Sequence, residues 1–342
     1  MERALPPEPT CPTAVVGATT WGTTLAILTA RAGVPVTLLC RTPEEADALR
    51  RAGEHTRRLP GVPFPSDMSV QDDPETALGD ARLVIVAVPS DRFRDNLRRV
   101  ARHVSRDAVI LSVTKGLELP TGLRMSEVTA QELPEHPTQR FAALSGPNLA
   151  GEIISGKPAL SVVASEHEAT SRLAQDTLMS PAFRVYTSDD LVGVELGGAL
   201  KNIIALAAGM ADGLNAGDNA KAALVTRGLN EIGRLGIAAG AELMTFAGLA
   251  GLGDVMATCN SPLSRNRRVG EELAKGRQLP EILAGMDAVA EGVNTTVAAL
   301  EMAERLDVDM PITRLMSQVL FEGLPAAECI PVLMERPPRS EW

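Results

Sequence analysis

Residues 13–40 read TAVVGATTWGTTLAILTARAGVPVTLLC, and this stretch decides the fold. A short apolar strand over 13–16 is broken by Gly17. Helical spacing then runs over 21–32 and stops at Gly33, and a second apolar run over 34–40 follows directly. Strand, helix and strand in so short a span is the spacing of a βαβ unit, whose two strands must lie parallel. Thr42-Pro43-Glu44-Glu45 then reads as a helix start, with Thr42 as N-cap, Pro43 in the first helical position and Glu45 closing a capping box.

Further apolar runs at 83–88, 108–113, 141–144, 160–164 and 183–187 read as buried strands with helical or loop segments between them. Continuous apolar strands, rather than alternating ones, indicate a sheet covered on both faces. After about Ser188 the character changes to long Ala/Leu/Gly/Met-rich helical stretches without a strand signal. The expected fold is therefore α/β: a Rossmann-like, mostly parallel sheet domain over 1–188, an all-helical C-terminal domain over 189–335 for substrate binding and catalysis, and a tail over 336–342. The apolar stretch 191–211 is not a membrane span. Glu195 and Lys201 lie inside it, and each costs about 2.5–3.5 kcal/mol near a bilayer centre. It reads as a central helix buried on every side.

Composition narrows the function. Across 342 residues, 45% are apolar and 22% charged, which fits folded domains with real cores. With 33 Lys+Arg against 43 Asp+Glu, the net charge of −10 provides no global basic field, so neither nucleic acid nor an anionic membrane is an expected partner. Aromatics are only 3%, too few for base-stacking platforms. The four cysteines form no CxxC pair and the four histidines no HxxxH pair, so no metal site is expected and a reducing, cytoplasmic compartment is. The proline-rich residues 1–13 contain no apolar run and read as a lead-in rather than a secretory signal.

A dinucleotide fingerprint needs Gly at three places after the first strand: for the tight turn, for close approach of the pyrophosphate, and for helix–strand packing. Gly17 and Gly22 hold the outer places, but Thr19 holds the middle one. Its β-branched side chain is expected to hinder the pyrophosphate unless its hydroxyl becomes a ligand, and a bare strand–turn–helix corner is the competing reading. At the end of the second strand stands Cys40-Arg41, with no acid before Glu44. An acid there suits the ribose 2′-hydroxyl of NAD, whereas an Arg suits a 2′-phosphate. If a dinucleotide binds, NADP is the expected form, with NAD as the second choice.

Three stretches of the helical half resist a packing explanation. In Gly197-Gly198-Ala199-Leu200-Lys201-Asn202, two helix-weakening glycines lie on the face of a lone lysine. They are expected to clear space beside an ammonium whose pKa is lowered, which suits proton transfer; a lysine snorkelling to solvent is the alternative. In the Gly248–Asp254 stretch, GLAGLGD, three glycines precede a carboxylate placed to orient or balance Lys201, or merely to cap a helix. In Ser261-Pro262-Leu263-Ser264-Arg265-Asn266-Arg267, Ser264 reads as an N-cap, so Arg265 and Asn266 fall in a first turn. A cation there opposes the helix dipole unless an anion such as phosphate docks at that end.

Taken in order, Trp21-Gly22-Thr23, Leu59-Pro60-Gly61, Val88-Pro89-Ser90, Thr114-Lys115-Gly116-Leu117-Glu118, Ser145-Gly146-Pro147, Leu200-Lys201-Asn202, Gly251-Leu252-Gly253-Asp254, the SPLSRNR run ending at Arg267, and Glu291-Gly292 are similar to the bacterial NAD(P)H-dependent glycerol-3-phosphate dehydrogenases. The resemblance implies reversible reduction of dihydroxyacetone phosphate to sn-glycerol 3-phosphate for phospholipid synthesis, and it implies a homodimer. It assigns Lys201 as the proton donor or acceptor, and Gly146, Asn148, Asp254, Ser264 and Asn266 to the substrate. Lys115 and Arg265 would touch both substrate and cofactor. Thr20, Trp21, Arg41, Ala150, Val289 and Glu291 would hold the cofactor beside the Gly17–Gly22 turn. Departures from the family's pattern fall at Arg58, Thr19-Thr20, Asn148-Leu149 and Gly151. They leave two other readings open: a binding-only paralogue, and a reductase of a different keto-phosphate.

Overall fold

The computed structural model describes residues 11–286 and 290–337. The N-terminal half alternates strands and helices: β1 Thr13–Val16, α1 Thr20–Arg31, β2 Val36–Leu39, α2 Pro43–Ala52, β3 Met68–Gln71, α3 Pro74–Leu78, β4 Leu83–Val86 and α4 Ser90–Val100. It continues with β5 Val109–Ser112, α5 Met125–Glu132, β6 Phe141–Ser145, α6 Ala150–Ile154, β7 Ala159–Ala164, α7 Glu168–Leu178 and β8 Phe183–Ser188. The strands form one eight-stranded sheet in the order β3-β2-β1-β4-β5-β6-β7-β8. All neighbouring pairs are parallel except β6 with β7.

The strand period of two sorts the sheet's residues into two cores. Val15, Leu38, Ile85 and Leu111 pack under α1 on one face. Val16, Leu39, Val86 and Ile110 pack with Phe93 and Leu97 of α4 on the other. The inner strands β1, β4, β5 and β6 are buried at every position, as their unbroken apolar runs require. The edge strands β3 and β8 alternate instead. That alternation hid β3, which carries Ser69 and Gln71 among its four residues and was not expected from sequence. The expected capping box at Thr42 is also modified. Thr42 accepts from the Glu45 N–H at 3.3 Å, but the Glu45 carboxylate reaches the Arg41 N–H at 3.1 Å rather than that of Thr42.

After β8 the described residues contain only helices: α8 Leu191–Gly213, α9 Asp218–Ala238, α10 Leu243–Ala247, α11 Asp254–Asn260, α12 Arg265–Ala274, α13 Leu279–Ala284, α14 Glu291–Arg305, α15 Pro311–Ser317 and α16 Cys329–Met334. Helix α8 is long and apolar enough to cross a bilayer, but 89% of its most apolar window is buried inside the fold. It is the core helix, begun by Asp190, whose carboxylate caps Gly193 N at 2.8 Å and also ties down Glu242 N and Thr245 Oγ1. Helix α12 crosses α8 with main chain against main chain. A Cβ on Gly209 would fall on the Arg267 carbonyl, and one on Gly270 on the Leu206 carbonyl.

Candidate active site

The first turn is built as a nucleotide turn is, with one change. Gly17 has φ +110°, and a Cβ there would meet Val88 Cγ1 at 2.7 Å and Ala87 O at 2.8 Å, so only glycine fits. At Gly22 a Cβ would fall on the Gly17 carbonyl, which is the close helix–strand approach the third glycine permits. The Thr19 hydroxyl is not offered outward as a ligand but is engaged within the turn. The hydroxyl accepts from Gly22 N at 3.0 Å and donates to Ala87 O at 2.8 Å, capping α1 and tying its start to the end of β4. The first turn of α1 carries no acid, and the Thr20 and Trp21 N–H groups bond nothing among the described residues. Such a helix start suits an anion. The Trp21 indole turns inward to an edge-on contact with Phe183, centroids 6.2 Å apart. The residues present therefore fit a dinucleotide held by main chain.

The chemical centre lies where the loop after β5 meets α8 and α11. Lys201 is 6% exposed and Asp254 1%. The Lys201 ammonium donates to Asp254 Oδ1 at 2.9 Å and to Thr258 Oγ1 at 2.5 Å. Lys115 donates to Asp254 Oδ2 at 2.7 Å and to the Gly146 carbonyl at 2.7 Å. One carboxylate thus grips two amines, and each ammonium, with three donors, keeps one uncommitted among the described residues. Burial pushes Lys115 down to about 8; the Asp254 charge resists and the Lys201 charge adds to the push. Burial alone would raise the Asp254 carboxyl, but Lys115 and Lys201 outweigh it and hold it below its ordinary value. Two cations and one anion leave a net positive charge in a desolvated site, which favours an incoming anion or a developing oxyanion.

The glycines on the Lys201 face serve a different purpose from the one expected. A Cβ on Gly197 would meet the Ala250 carbonyl at 2.9 Å, and one on Gly198 the Ser145 hydroxyl at 2.5 Å. They let α8 close on the π-helical turn Leu249–Gly253 and on the end of β6; they do not hold open space for a ligand. That approach places Asp254, first residue of α11 rather than its cap, against the amine.

A line of amides links this centre to the start of α12. Asn202 donates to the Lys115 carbonyl at 3.1 Å and accepts from Asn266 at 2.9 Å, while Asn266 accepts from Gly292 N at 3.0 Å. Ser264 caps α12 through Arg267 N at 3.2 Å, as expected. The first turn of α12 holds no acid. Burial lowers the Arg265 pKa, opposed by Glu291 and assisted by Arg58. Glu291 accepts from Ser90 N at 3.1 Å and from its hydroxyl, behind Gly116, whose Cβ would touch both residues. Burial raises its carboxyl. Both ends of the Asn148 amide engage the Ser161 hydroxyl, at 2.7 and 3.0 Å. Ala150 opens α6 beside it. Arg41 is exposed at the end of β2, and Val289 lies outside the described residues. Thr258 and Asn202 were missed as site residues; the former was detectable only as a hydroxyl one helical turn after Asp254.

Residues 12–171 match the family model for the N-terminus of NAD-dependent glycerol-3-phosphate dehydrogenase, and residues 190–331 match the one for its C-terminus. A glycerol-3-phosphate dehydrogenase [NAD(P)+] of Moorella thermoacetica is 48% identical, covering 96% of this chain and 97% of that one. The protein of the same name from Parafrankia sp. is 49% identical, covering 96% and 98%. The crystal structure of glycerol-3-phosphate dehydrogenase from Coxiella burnetii superposes with a TM-score of 0.91 at 36% identity, covering 96% and 99%. With a dinucleotide turn at one end and a buried lysine–aspartate–lysine cluster at the other, the chain belongs to the NAD(P)-dependent glycerol-3-phosphate dehydrogenases, a family of oxidoreductases.

Proposed function

We propose that this chain catalyses the reversible NAD(P)H-dependent reduction of dihydroxyacetone phosphate to sn-glycerol 3-phosphate, a glycerophospholipid precursor, with Lys201 as general acid and base. The observation that carries this reading is the Lys115–Asp254–Lys201 cluster: two ammoniums, Lys201 buried and Lys115 part-buried, each with a donor to spare, on one carboxylate. The bound nicotinamide supplies or takes the hydride. Hydride arrival at a ketone carbon drives charge onto its oxygen, and an adjacent ammonium stabilises that charge and then gives up its proton. Lys201 fills that role, and Asp254 and Thr258 hold its nitrogen in place. Lys115 orients the substrate, and its carbonyl is fixed in turn by Asn202. The phosphoester is taken by Arg265 and the Ser264–Asn266 end of α12, which supplies binding energy remote from the reacting carbon.

The same reading places the dinucleotide on the 1–188 half, the substrate on 189–335 and a tail at 336–342, supported by the last strand ending at Ser188. NADPH is the preferred cofactor, supported by Arg41 and the missing acid at the end of β2. Cytoplasmic residence is supported by four free thiols, and a homodimer by the resemblance. The test is NADPH oxidation with dihydroxyacetone phosphate. Turnover is expected, and Lys201→Ala should lower it by about a thousandfold with the circular dichroism spectrum unchanged. No turnover with NADPH or NADH would end the reading.

A further inference from the structure

Four arginines share helix α4, and three of them meet carboxylates, Arg92 with Asp91 at 3.4 Å among them. Arg94 bonds Glu118 at 2.6 Å and also Glu132, and Arg98 bonds Glu132 at 2.6 Å. Arg99, on the last turn, pairs with no acid among the described residues. It leans back across the sheet edge to donate from Nη1 to the Cys40 carbonyl at 3.3 Å. Its Nε is buried without a partner, and Nη2 has no acceptor among the described residues. A buried charged donor lacking an acceptor is costly and calls for a reason. The carbonyl it has found is that of the last residue before Arg41, at the strand end where a dinucleotide's ribose is read. Arg41 brings an exposed guanidinium with no acceptor among the described residues.

The charges around Arg99 are few. Burial lowers its pKa, the buried Cys40 thiol and Glu45 oppose that, and the neighbouring Arg41 charge assists it. Glu45 is occupied by the Arg41 N–H at 3.1 Å. Arg50 and Asp72, also within reach of Cys40, bond each other at 3.3 Å. Two like charges, Arg41 and Arg99, therefore act on each other at one strand end, with Glu45 as the carboxylate that partly offsets them. A dianion between the two would offset their repulsion, and planar guanidiniums match phosphate oxygens.

We propose that Arg99 joins Arg41 in seating the 2′-phosphate of the dinucleotide, so that a residue of α4 helps to set cofactor choice. This rests on the reading that the dinucleotide lies on the Gly17–Gly22 turn. The test uses fragments lacking nicotinamide: calorimetric titration of the full chain with 2′,5′-ADP and with 5′-ADP. The intact chain binds 2′,5′-ADP more tightly. Arg99→Met, which keeps the apolar stem, lowers the ratio of the two affinities about tenfold. Arg99→Gln, which keeps a donor for the Cys40 carbonyl, does the same should the methionine variant fail to fold. An unchanged ratio in a folded variant overturns the assignment and leaves the phosphate to Arg41 alone. If the intact chain shows no preference for 2′,5′-ADP, the NADPH reading itself has failed, and the inference falls with it before any variant is made.

Discussion

The two ends of the site work by opposite means. At the Gly17–Gly22 turn the side chains face away: Thr19 is bonded to Ala87 and Gly22, and the Trp21 indole packs on Phe183. What remains for a ligand is main-chain N–H. Around Lys201 the side chains make the contacts, and nothing there is replaceable without leaving a buried group unpaired. A main-chain site tolerates changes of residue as long as the turn keeps its shape, whereas a side-chain site does not. That contrast explains how a threonine can stand at the middle glycine position while the lysine–aspartate–lysine cluster is complete.

The contrast is open to experiment, in descending order of effect. Asp254→Asn keeps the shape of the side chain but strands the buried Lys201 ammonium and the part-buried Lys115 one, so urea unfolding should show a loss of about 3–5 kcal/mol, together with a collapse of turnover. A loss below about 1 kcal/mol would mean the cluster is solvated, and the distinction between the two ends would disappear.

The second effect is on pH dependence. Lys115 sits near 8 in the fold against 10.5 for the free side chain. Between those values the unfolded chain holds the extra proton, so the contribution of this group to stability rises with pH from about 8 to 10.5. Activity runs the other way. The kcat/KM for ketone reduction, which reports the free enzyme, should fall about tenfold per pH unit above the Lys115 value. Lys115→Arg should remove that limb, and a profile flat above pH 8 in the unaltered chain would show that the Lys115 charge is not needed to hold the substrate. The smallest effect belongs to the turn. Thr19→Ala loses an N-cap and should cost about 1 kcal/mol of stability, while the KM for NADPH moves less than about threefold. A large rise in KM would show that the hydroxyl serves the cofactor after all.

Much of this molecule was legible in its residues. The inner strands β1, β4, β5 and β6 are largely apolar because both faces of the sheet are covered, and α8 reads as a core helix because its few polar residues leave no polar face. The pairing of Lys201 with Asp254 followed from a charge placed in apolar surroundings. What escaped did so for physical reasons. Strand β3 is an edge strand whose exposed Ser69 weakens the apolar signal. Thr258 is an ordinary helix hydroxyl until α8 is packed against it. The glycines at 197 and 198 look the same in sequence whether they admit a ligand or a neighbouring backbone, and only the Ala250 carbonyl and Ser145 hydroxyl beside them decide it. The inward turn of Thr19 likewise depends on Ala87, far away in the chain.

The bare crossing at Gly209 and Gly270 has a consequence for what the enzyme can measure. Because peptide rests on peptide there, the spacing of α8 and α12 is set by the polypeptide itself, and any side chain added at Gly209 or Gly270 would force the two helices apart. The proton-handling end of the pocket and its arginine end are mounted on those two rods. On the proposed reading the pair works as a fixed calliper, whose opening sets the length of molecule that both ends can hold at once.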